Sequence, residues 1–178
     1  MRNTCHWLTD SGAEVSADGK YRYLLWREWK TSEFRRSARV AGSTCLFVML
    51  NPSTADAREN DPTIRRCMGF AQDMGHNRLE VVNLFAYRAT DPQELLDVGV
   101  ASTIIGAQND RNIMRAAERA SVIVCAWGTK GWIADRAKTV RAMLSNYELY
   151  ALGFTQGGHP KHPLYVAKGT KLERLSDK

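Results

Sequence analysis

The sequence lacks most of the markers that assign a chain to a class at sight. It has no Walker A motif and no G-x-G-x-x-G fingerprint, so neither common phosphate-cradling loop is present. The stretch GTKG after Trp127 is too short to replace them. No apolar run approaches the roughly 20 residues that cross a bilayer, and MRNTCHWLTD has no signal-peptide core. No membrane partner is expected, and the expected location is cytoplasmic. The 4 cysteines are far apart and form no C-x-x-C pair, which speaks against a disulfide framework and against a paired-ligand metal site. Cys45 and Cys125 lie in strand-like apolar runs, where cysteine acts as a small hydrophobe. His159 and His162 make an H-x-x-H outside any helix, a poor metal pattern. No metal and no organic cofactor are expected. Internal repeats, low-complexity tracts and Pro/Gly-rich linkers are also missing. Residues 1–178 are therefore read as a single domain.

What is present is ordinary in amount and informative in arrangement. Apolar residues make up 44% and charged residues 25%, enough for one sizeable core. The net charge of +6 suits an anionic partner, nucleic acid or nucleotide, through phosphate neutralisation. Residues 1–19 are polar and read as irregular. KYRYLLWREWK, Lys20 to Lys30, reads as a strand, half of a hairpin completed before Val40. From Cys45 strand-like and helix-like patterns alternate. CLFVML, LEVVNLF, SVIVCAWG and YELYALG are the four strands. Between them, DPTIRRCMGFAQDMG has an Asp-Pro start and apolar residues at helical spacing. DPQELLDVG opens a short helix, Ser102 to Arg119 a longer one, and IADRAKTVRAMLS another. The alternation predicts an α/β fold with a mostly parallel sheet and helices on both faces, the motif-bearing core spanning 45–165.

Ligands of such sheets bind outside the carboxyl ends of the strands, and the unusual residues gather there. Asn51-Pro52 follows the first strand, Asn83 ends the second, Trp127-Gly128 follows the third and His162-Pro163 the fourth. For Asn51 two readings compete: a turn former, or an amide aimed outward by Pro52 to hold a water or a ligand carbonyl. Ser53, Thr54 and Asp56 are read as caps of a local turn, with a general base as the second reading of Asp56. Asn83 interrupts an apolar strand, so its amide either satisfies a backbone group or reads the edge of a nucleobase. His162, held between prolines, is either a surface residue or a donor to an oxygen that gains charge. Arg65, Arg66, Arg88, Lys130 and Lys161 are near the rim in sequence, as solvated charge or as phosphate ligands.

MLNPSTAD, DPTIRRC, VVNLFAYRATDP, the ND of AQND, AWG and G-HPKHPLY together resemble the family called domain of unknown function 1643, found in bacteria and their phages. More distantly, the order of strands is similar to the uracil-DNA glycosylase-like proteins. That resemblance implies a three-layer α/β/α sandwich around a central, mostly parallel four-stranded sheet, with an N-terminal β-hairpin added. It implies Asn51 as the residue that positions water, Asn83 as the base reader and His162 as the stabiliser of the departing base. Pro52, Ser53, Trp127 and Gly128 would complete the base site. The chain departs from that pattern in having Met49-Leu50 where a glycine is usual and Leu164-Tyr165 where a serine-rich wedge is usual. The activity implied is hydrolysis of the N-glycosidic bond of a modified base in DNA or a nucleotide, with Asp56 assisting Asn51. The alternatives are a non-catalytic module that binds a base or nucleotide, and a protein whose rim meets another protein.

Overall fold

The run Thr44–Met49 is buried along its whole length and forms β3, the central strand of one sheet. The computed structural model describes residues 8–30, 43–53, 55–129 and 134–176. Among them, β1 (Leu8–Val15), β2 (Arg22–Trp29), β3, β4 (Arg78–Asn83), β5 (Ala120–Cys125), β6 (Leu149–Ala151) and β7 (Glu173–Arg174) form a seven-stranded sheet in the order β1-β2-β4-β3-β5-β6-β7. The pairs β3/β4, β3/β5 and β5/β6 are parallel, and β1/β2, β2/β4 and β6/β7 are antiparallel. Helix α1 (Pro62–Asp73) covers one face, where Ile64, Cys67 and Ala71 meet Cys45, Phe47 and Met49. On the other face Ile113 and Ala116 of α4 (Asn109–Arg119) and Val140 of α5 (Ala134–Met143) meet Leu46, Val48 and Val82. Burial on both faces is why the central strands read as unbroken apolar runs. Cys45, Cys67 and Cys125 are free thiols inside this core, and burial pushes the Cys125 thiol up to about 12.

The sheet corrects the expected architecture. A four-stranded parallel sandwich with an appended hairpin does not describe it: the hairpin is part of the sheet, and β7 adds a further antiparallel edge. A two-stranded hairpin is marginal alone, and an uncovered β4 would be an open edge. Pairing Leu25 with Val81 and Arg27 with Leu79 removes both problems. The second correction concerns residues 8–15, read as irregular, which form β1. As an edge strand β1 is mostly half-buried or exposed, so its sequence carries little alternation. Gly12 is its one enforced residue, because a Cβ there would lie 2.1 Å from the Trp26 ring. The hairpin therefore closes ahead of β2. A closure between Lys30 and Val40 falls in residues 31–42, outside the described residues.

Two irregularities shape the region that follows. Between Glu14 and Val15 the β1/β2 register slips, and their partners are Leu24 and Arg22. The extra residue, Tyr23, is a bulge that reverses the side-chain alternation. Leu24 packs with the α4 side of the core, while Arg22 reaches the carbonyl of Ala55, a residue of the α1 side. The long helix expected over Ser102 to Arg119 is two helices, α3 (Ala101–Ile105) and α4, separated at Gly106 with φ +83°. The freed carbonyls of Ile104 and Ile105 accept from the amides of Tyr87 and Ala86. A four-residue helix, α2 (Glu94–Asp97), precedes α3. Among the described residues no helix is long and apolar enough to cross a membrane.

Candidate functional site

Because β3, β4, β5 and β6 run parallel, their carboxyl ends share one edge, and a crevice of about 650 Å³ opens there. β3 delivers Met49, Leu50, Asn51 and Ser53 to its wall, and β4 delivers Val81 and Asn83. The end of β5 brings Trp127, Gly128 and Thr129, and the loop after β6 brings Thr155, Lys161, His162 and Tyr165. The start of α1 adds Asp61, Thr63 and Ile64, and the bulge in β2 adds Arg22.

Asn83 is the most constrained of these. Its residue exposure is 2%, and among the described residues neither its Oδ1 nor its Nδ2 has a hydrogen-bond partner. Its backbone carbonyl is held by Asn109 Nδ2 at 3.0 Å, and the same nitrogen donates to the Leu84 carbonyl at 3.0 Å. Leu84 O also accepts from Arg136 Nε at 2.9 Å. The end of β4 is thus clamped through its backbone and not through the Asn83 amide. Asn51 is half-buried, and its Nδ2 donates to Ala89 O at 2.8 Å and Pro52 O at 3.1 Å. That fixes the ring of backbone at the mouth and leaves Oδ1 as the acceptor. Pro52 itself is buried behind the wall, its carbonyl also receiving the amide of Ala89.

His162 begins a 3₁₀ turn, Pro163–Tyr165, and its Nδ1 accepts from the Leu164 amide at 3.4 Å. The proton of the neutral ring is then on Nε2. Burial lowers its pKa below the ordinary value of 6.5, against a smaller upward pull from Asp61, so the ring is neutral at pH 7. A Cβ placed on Gly128, at φ +75°, would lie 3.5 Å from the Cβ of His162, so the segments that follow β5 and β6 meet here. Asp61 caps α1, accepting from the Ile64 amide at 2.7 Å, and still faces the crevice. Arg22 is 3% exposed, donates from Nη1 to Ala55 O at 2.7 Å, and has no partner for Nε among the described residues. Burial, foremost, brings its pKa down to about 10.

The remaining candidates stand elsewhere. Asp56 is outside the crevice wall; its Oδ1 accepts from the amides of Arg58 and Glu59 at 2.8 and 2.9 Å, and these bonds lower its pKa. Arg65 donates to Asn60 O, and Arg88 donates to Gly19 O at 3.2 Å. Arg66 lies over the Phe70 ring and donates to the carbonyls of Pro163 and Val166, so it holds the His162 loop from behind. Thr54 and Lys130 lie outside the described residues. Sequence reasoning misses Arg22, because the β-forming aromatics of KYRYLLWREWK mark it simply as a strand; the available signal is an arginine among apolar strand residues.

This geometry also corrects the expected glycosylase activity. The resemblance implied a sandwich of a different architecture, and the seven-stranded mixed sheet does not match it. Asn51 Nδ2 is tied to backbone carbonyls, and Asp56 lies outside the crevice wall. Hydrolase and glycosylase descriptions are set aside with it. Among the described residues no three His, Cys, Asp or Glu side chains group to hold a metal ion. No curated protein and no solved structure matches the chain. Residues 22–164, which include every described residue of the crevice wall except Tyr165, match the family model described as "Protein of unknown function (DUF1643)", and the chain belongs to that family.

Proposed function

We propose that the crevice binds a nucleotide or the base of a nucleic acid. The observation that carries this reading is the Asn83 amide, buried with donor and acceptor both unpaired among the described residues. Leaving such a group unsatisfied costs about 1–3 kcal/mol, so a ligand that pairs with it recovers that loss on binding. The complementary ligand needs a donor and an acceptor side by side on a planar edge, which is the pattern of a nucleobase. The size agrees, since small-molecule sites run from roughly 300 to 1,000 Å³. Tyr165, 83% exposed at the rim and 5.8 Å from the His162 ring, offers an aromatic face for stacking. The Nε2–H of neutral His162 and the acceptor Oδ1 of Asn51 add orientation. The reading concerns recognition, and no bond-breaking step is assigned.

Asn83→Leu is the direct test, because leucine keeps the shape and removes the amide. Calorimetric titration with a panel of nucleosides, nucleotides and short oligonucleotides should show binding to the wild type and a loss of about tenfold or more in the variant. Urea unfolding of the unliganded variant should show equal or greater stability, since an unpaired polar group has gone. A wild-type protein that binds nothing in the panel, or a variant that binds as well, would overturn the reading.

A further inference from the structure

Three arginines are buried among the described residues, and one differs from the others. The Arg27 guanidinium is engaged by the carbonyls of Gly12, Trp26, Asp56 and Glu59 and by Asn60 Oδ1. Arg136 is engaged by Leu84 O and by an ion pair with Asp110. Among the same residues, Arg22 has the single bond to Ala55 O, an unpaired Nε, and no carboxylate within ion-pair distance. A buried cation with no carboxylate bonded to it is costly, and a guanidinium with an open side is shaped for two oxygens of one anion. The β-bulge at Tyr23 is the device that turns this side chain out of the α4 side and into the crevice. Asp61, the acidic wall residue, favours the charged Arg22 through space but forms no ion pair with it, and its Oδ1 is engaged by the Ile64 amide of α1. Lys161 supplies a second cation in the same wall.

We infer that Arg22 is the anion-binding residue of the crevice and that the ligand is a single nucleotide, its terminal phosphate on the Arg22 guanidinium and its base against Asn83. The inference rests on the nucleobase reading above and narrows it. A terminal phosphate has free oxygens for both sides of the fork, whereas a phosphodiester must carry its chain onward on each side. An arginine that is 3% exposed leaves little passage for a continuing strand.

The test compares nucleosides, their 5′-monophosphates, a short single-stranded oligonucleotide and inorganic phosphate on the wild type, Arg22→Gln and Arg22→Lys. Glutamine keeps a donor for the Ala55 carbonyl, and circular dichroism reports folding. The wild type should bind monophosphates at least about tenfold more tightly than nucleosides, a difference of about 1.4 kcal/mol, and Arg22→Gln should abolish that preference while retaining nucleoside affinity. Arg22→Lys, lacking the bidentate fork, should keep only part of the preference; it carries the test if the glutamine variant does not fold. Retention of the full preference in either folded variant, or tighter wild-type binding of the oligonucleotide, would overturn the inference while leaving the base reading intact. If no nucleoside or nucleotide binds but inorganic phosphate raises the melting temperature of the wild type and not of Arg22→Gln, the base reading fails and the anion site stands. Equal response of both proteins to phosphate, with no nucleotide binding, removes both.

Discussion

The Nδ2 of Asn109 donates to the carbonyls of both Asn83 and Leu84, and the residue is fully buried. Two acceptors depend on this one side chain, though Leu84 O keeps Arg136 as a second donor. Asn109→Ala should therefore lower the unfolding free energy by about 1–3 kcal/mol, since both carbonyls lose this donor. Urea denaturation checks this; a loss of a few tenths only would mean that Asn109 does not support the end of β4. Asparagine serves two ends here. Asn109 commits its Nδ2 to the fold and leaves its Oδ1 unpaired among the described residues, whereas neither amide atom of Asn83 has a partner among them. Residue type does not separate the two; their partners do.

Gly106 ends α3 with φ +83° and ψ +134°, a conformation that essentially only glycine takes. Its missing Cβ also gives room to two tyrosines: an added carbon would meet Tyr21 at 2.9 Å and Tyr23 at 3.2 Å. Neither ring can easily withdraw, since Tyr21 stacks on Tyr23 at 6.0 Å and meets Tyr87 edge-on at 5.7 Å. Gly106→Ala should cost about 1–3 kcal/mol, read as a lowered urea midpoint at unchanged slope. Helical periodicity runs across this point, which is why the sequence reads as one helix. The break exists because the carbonyls of Ile104 and Ile105 are needed by the chain just after β4. By contrast α1 is legible residue by residue, since Asp61, Pro62 and an apolar stripe are all local signals.

The folded protein as a whole should be acid-sensitive in a defined window. Burial lowers the pKa of both His162 and His76 below 6.5. Between 6.5 and those lower values the unfolded chain takes up protons that the folded chain refuses, so stability falls as pH falls through the window. Well above 6.5, from about pH 7.5, the two rings are neutral in both states and contribute no slope. At lower pH Asp56, whose pKa is held down by the Arg58 and Glu59 amides, adds a further loss as its carboxylate is protonated. Urea midpoints at about pH 8 and about pH 5 should differ in this direction, and His162→Gln together with His76→Gln should flatten the step. A midpoint that rises on acidification would contradict the burial of both rings.

Local pattern was enough to locate β3, β4, β5 and α1, because each is written in a few consecutive residues whose periodicity reflects burial. Parallel strand direction then put Asn51, Asn83, Trp127, Gly128 and His162 near one edge, and they do line one crevice. The hairpin's place in the sheet, the Tyr23 bulge, the break at Gly106 and the burial of Arg22 were not readable there. Each depends on a partner in another element: β4 for the hairpin, Glu14 and Val15 of β1 for the bulge, Tyr21 for the glycine, Ala55 for the arginine. Sequence periodicity reports which side of an element meets apolar surroundings. Which distant group a polar side chain meets, or fails to meet, is fixed only when the chain closes on itself.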